Sequence, residues 1–225
     1  DMNDEQRKLY DAYYENAKNI ILGADTNRIN QLAILTRLRQ ICVDPSMFIE
    51  NFNSISEKIT VAVSIILNAI ENNHKVLVFS SFTKSLDHLK NLLEEKNIPS
   101  FYIHGGVSAE KRIEIADSFN NEDNIKITLI SLKAGGTGLN LIGADIVIHL
   151  DPWWNIAAEN QASDRAHRIG QKNSVTVIKL ICKNSIEEKV IKLQQLKNNL
   201  ASSIILSGDK KISSLTQEDI YFLFN

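Results

Sequence analysis

Apolar residues recur every three to four positions through the first fifty residues. Leu9, Tyr13, Ala17 and Ile20 mark one helix over 3–19, and Leu32, Leu35, Leu38 and Ile41 mark a second over 27–42. Asp44-Pro45-Ser46 ends the second, because proline cannot continue a helix. The polar run Asn51-Phe52-Asn53-Ser54 reads as a linker, and Ser54 or Ser56 is placed to cap a third helix running to about 73. At Lys75 the rhythm changes to short, continuous apolar runs separated by amphipathic stretches. Strands are predicted over 76–79, 100–103, 125–131, 146–150 and 175–181. Helices are predicted over 83–96, 108–120 and 155–166, the second with Ser108 as its cap. From Ser185 the pattern is helical again (Ile186, Val190, Leu193, Leu196, Leu200), and Thr216 opens a last short helix to Phe224.

Buried apolar strands alternating with helices give βαβ units, hence an α/β fold with a parallel sheet covered on both faces. Three parts follow: a helical segment at 1–52, the α/β lobe at 53–183, and helices over 184–225. In such sheets working residues collect in loops after the carboxyl ends of strands. Here those loops are 80–83, 104–106, 131–140 and 151–155.

Composition narrows the function. Over 225 residues, 25 Lys and Arg balance against 27 Asp and Glu, for a net charge of -2, with 44% apolar residues. That is ordinary for a globular domain and excludes disordered tails, coiled coils and binding of nucleic acid by bulk basicity. Any such binding needs a local patch. Cys42 and Cys182 are far apart, form no CxxC, and read as buried thiols. No apolar run reaches membrane-span length, so no membrane partner is expected, and the acidic start is no signal peptide. A chain that opens on Asp1 is expected to be part of something larger.

Three stretches could carry chemistry. Ser131-Leu132-Lys133-Ala134-Gly135-Gly136-Thr137-Gly138-Leu139-Asn140 has three glycines within four positions, which turns backbone N–H groups outward beside a Lys and a Thr. It also reads as a plain glycine-rich turn; it is neither a Walker A loop nor GxGxxG. In Gln161 to Gln171, Arg165 and Arg168 are three apart and would share a helix face, with Gln161 one turn earlier. Two guanidinium groups so placed suit a triphosphate; the alternative is a solvated face with Asp164 paired to Arg168. Asp151-Pro152-Trp153-Trp154-Asn155 sets both tryptophans at a strand exit, where they could simply cap the core. His104, His149 and His167 are not spaced as a metal site, and no nucleophile has its base nearby, so no metal is expected.

Taken in order, Val76 to Phe82, Ile103-His104-Gly105-Gly106, the Ser131 to Leu141 loop, Asp151 to Asn155 and Asp164-Arg165-Ala166-His167-Arg168-Ile169-Gly170-Gln171 resemble motifs IV, V and VI of the Swi/Snf family of helicase-like ATPases. Leu38-Arg39-Gln40-Ile41-Cys42 with Pro45 is similar to the helical segment before that family's second lobe. Ser185 to Leu206 is similar to its brace helix, and Leu215 to Phe224 to the short acidic end of many bacterial members. The resemblance implies a RecA-like parallel sheet with helices on both faces, flanked by N-terminal and C-terminal helices: the second lobe of a superfamily 2 motor. One departure is Ile156, where many relatives carry proline, which should only loosen the start of the helix.

The resemblance also implies roles. Arg165 and Arg168 are similar to arginine fingers on ATP, and Gln161 orients them or touches the phosphates. Gly138 and Asn140 face the nucleotide. Ser80, Ser81, Thr83, Gly105, Lys133, Gly135, Gly136 and Thr137 face the backbone of double-stranded DNA, with Lys172, Lys179 and Lys183 as further help. No Gly-x-x-x-x-Gly-Lys-Ser/Thr and no Asp-Glu-x-His box occurs in these residues. In this family those parts, which hold ATP with Mg²⁺, lie on the N-terminal RecA-like lobe, the expected partner in cis. Alone, the chain is then expected to be inactive. A non-catalytic nucleic-acid or partner-binding module and an RNA-polymerase-associated recycling ATPase are the rival readings, the latter with RNA polymerase or another protein as partner. The expected location is the cytoplasm, at the nucleoid in a bacterium.

Overall fold

The structure, a computed structural model, describes residues 1–23, 27–50, 52, 54–135, 138–167, 171, 173–204 and 215–224. The chain divides into two compact units. Unit 2 comprises 59–151 and 158–180, and unit 1 comprises 1–58, 152–157 and 181–225.

Unit 2 is built on five parallel strands: β1 (Val76–Ser80), β2 (Phe101–Ile103), β3 (Ile127–Ser131), β4 (Ile146–His149) and β5 (Thr176–Lys179), in the order β2-β3-β1-β4-β5. Strand β1 is buried at every position, because successive side chains point to opposite faces and both faces are covered. Val76 and Val78 pack with Ile127, Leu129 and Ile148 against α3 (Glu57–Glu71) and α4 (Thr83–Glu95) through Ile59, Ile66, Leu86, Leu89 and Leu93. Leu77 and Phe79 pack with Ile103, Ile130 and Val147 against α5 (Ala109–Asn121) and α7 (Ile156–Ser163) through Ile115, Phe119 and Ala162. This double layer explains why the strands read as continuous apolar runs. Ser108 caps α5 as expected, its hydroxyl accepting from the Lys111 N–H at 3.2 Å.

Unit 1 joins α1 (Asp4–Leu22), α2 (Arg28–Val43), α8 (Ile186–Ile204) and α9 (Gln217–Phe224). Tyr10, Ile21, Leu35, Leu38, Ile41, Val190, Ile220, Leu223 and Phe224 form its core. Asn3 and Asn27 cap α1 and α2 through side-chain oxygens. Asp44 then accepts from the Ser46 N–H and turns the chain into a single 3₁₀ turn at Pro45–Met47, so the expected stop is real. The Ser56 hydroxyl donates to the Val43 carbonyl at 2.6 Å, which ties the start of α3 to the end of α2. Thr216 and Asp219 form a reciprocal capping box at α9.

The tryptophans also belong to unit 1. Trp153 and Trp154 stack with ring centroids 4.1 Å apart, and the buried Arg39 guanidinium lies 5.1 and 4.9 Å from their centres. Arg39 also donates to the Pro152 carbonyl at 2.9 Å. The pair therefore closes over a buried cation, beyond capping apolar residues.

Candidate functional site

The parallel register brings the strand ends level: Ser80 stands opposite Ser131, and Phe79 opposite both Ile130 and His149. At this carboxyl edge Thr83, Gly105 and Lys133 are exposed on three successive loops. Lys133 sits in a single helical turn, α6 (Leu132–Gly135), which the glycine content hid from sequence reading. Ser80, expected among these contacts, is fully buried. Its hydroxyl donates to Asp151 at 2.6 Å, pairs with the Ser85 hydroxyl at 3.0 Å and accepts from the Phe82 N–H at 3.1 Å. Ser81 is half-buried and gives both its N–H, at 3.0 Å, and its hydroxyl to the same carboxylate.

Asp151 is thus the hub of this edge. One buried carboxylate accepts three donors from the β1 loop, and charge-assisted bonds of this kind fix a loop more firmly than neutral ones. It was quoted in sequence only as part of the tryptophan stretch. An Asp directly after an apolar strand was the available signal.

A second group does not lie at the carboxyl edge, contrary to the expectation for the whole 131–140 loop. Helix α5 runs back from β2, so its end lies where β3 begins. There Asn120 donates to the Asn140 carbonyl at 2.9 Å and accepts from the Gly143 N–H at 2.8 Å. The glycine-rich loop therefore starts near Lys133 at one edge and ends at Asn140 towards the other. Gly138 has a φ of 67°, which glycine adopts without strain; a Cβ there would meet no atom within 4 Å, so the restriction is conformational. Both Gly138 and Asn140 are exposed.

Arg165 joins this second group. Helix α7 ends at Ser163, earlier than expected, so Arg165 does not continue a helical face. The Arg165 and Ala166 N–H groups turn back three residues to the carbonyls of Ala162 and Ser163, tightening the chain. The freed Arg165 carbonyl accepts from the Leu141 N–H at 3.0 Å, fastening the arginine turn to the end of the glycine-rich loop. Its side chain is only 2% exposed, whereas Gln161, on α7, is exposed. Gln171 closes the arrangement: its amide nitrogen lies 3.0, 2.7 and 3.2 Å from the carbonyls of Ile142, Ala144 and Ala166. Gln171 ended the motif in sequence but was assigned no role. Arg168, Gly136, Thr137 and Lys172 lie outside the described residues.

His149 supports the arginine turn from the sheet. Its ring stacks on Phe79, with centroids 5.5 Å apart, and Nε2 lies 2.9 Å from the Ser163 hydroxyl. Burial pushes its pKa below the ordinary value; the Glu159 carboxylate opposes this and the Lys179 ammonium adds to it. A group depressed in the folded state stabilises above its unfolded pKa, and that stability is lost as pH falls below it. Urea unfolding should therefore show stability falling from about pH 6.5 downward, by up to about 1.4 kcal/mol per pH unit. His149→Phe should flatten this slope; an unchanged slope would exclude His149 as its source.

Two further lysines are already engaged. Lys179 pairs with the buried Glu159 carboxylate, and Lys183 lies 3.6 Å from Asp1. Among the described residues, Cys42, Cys182 and Glu187 are the one group of metal-ligand types with clustered donor atoms; they belong to unit 1 and include no candidate residue.

Comparison with known proteins adds an independent line. Residues 57–170 match the helicase conserved C-terminal domain. An uncharacterized ATP-dependent helicase of Mycoplasma pneumoniae is 41% identical over 231 residues, covering all of this chain and 22% of that protein. The chain spans about a fifth of the length of the curated relatives it matches. The C-terminal domain of the Sulfolobus solfataricus SWI2/SNF2 ATPase aligns with a TM-score of 0.74 and 32% identity, over 97% of this chain and 92% of that one. The core of that ATPase in complex with double-stranded DNA aligns with a TM-score of 0.77 and 32% identity, over 99% of this chain and 48% of that one.

Proposed function

The chain belongs to the family of helicase conserved C-terminal domains, in its Swi/Snf branch, and from that premise we propose that it is the second motor lobe of a DNA-dependent ATPase that translocates along duplex DNA. The observation that carries this is the course of the glycine-rich loop. It links an exposed edge bearing Thr83, Gly105 and Lys133 to the separate group of Gly138, Asn140, Gln161 and the Arg165 turn. A motor needs such a link between the site that senses nucleotide and the site that holds the track.

The carboxyl edge meets the DNA backbone. Its exposed groups are one lysine, one hydroxyl and backbone amides, which position phosphates without reading bases. Ser80 and Ser81 act there by fixing the loop through Asp151, and Ser81 retains partial exposure for contact. Gly135, Gly136 and Thr137 are assigned the same role toward the DNA backbone. The second group meets ATP. Arg165 and Arg168 place positive charge on the γ-phosphate as it transfers, and Gln161 orients them. Mg²⁺ and the β- and γ-phosphate cradle belong to the N-terminal lobe in cis, since no Walker A loop occurs in these residues. ATP binding closes the two lobes and drives a step. The setting in this reading is the cytoplasm, at the nucleoid in a bacterium.

Two measurements test this together. The 225-residue chain alone is expected to give no ATP hydrolysis above background, with or without DNA. The full-length protein is expected to hydrolyse ATP faster on adding duplex DNA. Robust turnover by the chain alone would overturn the two-lobe reading. Stimulation by RNA and not by DNA would transfer the assignment to an RNA-directed ATPase.

A further inference from the structure

Cys42 closes α2 and Cys182 precedes α8, yet the Cys182 Sγ lies 3.2 Å from the Cys42 carbonyl, across 140 positions of sequence. Both belong to unit 1. The two Sγ atoms and a Glu187 carboxylate oxygen all lie within 4.8 Å of one another. This is a poor cation site, because a cation is already there: the Lys58 ammonium sits 2.7 and 2.5 Å from the two Glu187 oxygens. What remains is a pair of neighbouring thiols beside the Lys58–Glu187 ion pair.

We propose that Cys42 and Cys182 form a reversible disulfide, with Cys182 as the peroxide-reactive thiolate and Cys42 as the resolving thiol. Access sets the order, since Cys182 is 5% exposed and Cys42 is fully buried. Electrostatics sets the same order. The Cys42 thiol beside it holds Cys182 below the ordinary thiol value, helped by Lys58, while burial pushes Cys42 well above it. Only the thiolate attacks, and a thiol near an ammonium ionises more readily.

Hydrogen peroxide is the oxidant. The Cys182 thiolate attacks one peroxide oxygen and the O–O bond breaks. Cys182 becomes a sulfenic acid, and the departing hydroxide takes up the proton that Cys182 released, giving water. Cys42 then passes its proton to the sulfenic oxygen and attacks the Cys182 sulfur as the thiolate. The S–S bond forms, the S–O bond breaks, and hydroxide leaves with the Cys42 proton as a second water. Two thiols are oxidised by two electrons and one peroxide is reduced to two waters. The link joins the first and third chain segments of unit 1, and all of unit 2 lies between them in sequence.

The test uses the folded full-length protein, treated with hydrogen peroxide, quenched with an alkylating reagent and digested without reductant. Mass spectrometry should find a Cys42–Cys182 cross-linked peptide as the main oxidised product, lost again on adding dithiothreitol. In Cys42→Ser, Cys182 should be trapped as a sulfenic acid by a cyclic diketone; in Cys182→Ser, Cys42 should remain reduced. The proposal is overturned if both thiols of the folded protein stay alkylatable, if the cross-link appears only after unfolding in urea, or if Cys42 oxidises equally fast without Cys182. The wild-type measurement stands even if a variant fails to fold.

Discussion

Glu187→Gln should destabilise unit 1 by about 3–5 kcal/mol, the usual cost of stripping a buried charge of its partner. Lys58 and Glu187 are both buried, and the ammonium touches both carboxylate oxygens. Glu187 also accepts from the Cys182 N–H at 2.9 Å, and so ties the residues before α8 to the start of α3. Glutamine keeps the volume and one acceptor oxygen but leaves the Lys58 ammonium uncompensated in an apolar surround. Replacing both partners together, by Lys58→Met and Glu187→Leu, should cost far less than either single change. Equal losses in the double and single variants would show that the bridge itself, and not the stranded charge, holds the unit.

The same pair predicts a pH signature. Burial, the largest single influence, would lower the Lys58 pKa, but the Glu187 carboxylate together with the neighbouring Cys182 and Cys42 outweighs it and holds the ammonium above its ordinary value. A raised folded pKa gives stability that is complete below the unfolded value and lost only as pH climbs through the folded one. The wild-type pair is therefore insensitive to pH near neutrality. In Glu187→Gln burial, the largest influence on Lys58, loses its strongest opponent, so the sign reverses. The variant should recover stability as pH rises from 7 towards the ordinary lysine pKa of about 10.4. Urea midpoints at neutral and alkaline pH measure this directly.

Why such a hub escapes sequence reading is a matter of distance along the chain. The central strands were legible because each is short, apolar and buried on both faces, which leaves a run such as Val76–Phe79 no other stable place; the edge strand β5 is largely exposed and was legible only by its β-branched residues. The caps at Ser108 and Thr216 were legible because capping is local chemistry. Lys58, with Ser56 before it and Ile59 after it, looks like any surface lysine on a helix. Only the fold brings it to Glu187, 129 residues away. Asp151 and Gln171 were missed for the same reason, since their partners are Ser80 and Ser81, and the carbonyls of Ile142 and Ala144. The early end of α7 was hidden too. Residues 164–166 are compatible with a helix, but the Arg165 and Ala166 N–H groups bond three residues back instead of four, and the Arg165 carbonyl is taken by Leu141. Helical periodicity therefore drew Arg165 and Arg168 onto one face, although the first of them sits in a turn.

That turn shapes the second prediction. In the full-length protein, Arg165→Lys and Arg168→Lys should each lower kcat for DNA-stimulated ATP hydrolysis by about 10³-fold or more, the range an arginine finger supplies. Lysine is the informative replacement at Arg165. Alanine would leave a hole where a fully buried side chain packs, and lost folding would then mimic lost catalysis. Lysine keeps the aliphatic stem and the charge but removes the planar fork that donates two parallel bonds to phosphate oxygens. If the guanidinium acts mainly in the transition state, kcat falls while KM for ATP changes little. Duplex DNA affinity should hold, because Thr83, Gly105 and Lys133 follow β1, β2 and β3, whereas the Arg165 turn follows α7 and is fastened to Leu141. A parallel loss of DNA binding would mean that the glycine-rich loop has been disturbed through the Leu141 contact, and the role would then be positional. Hydrolysis within about tenfold of wild type for both variants would remove the arginines from the mechanism.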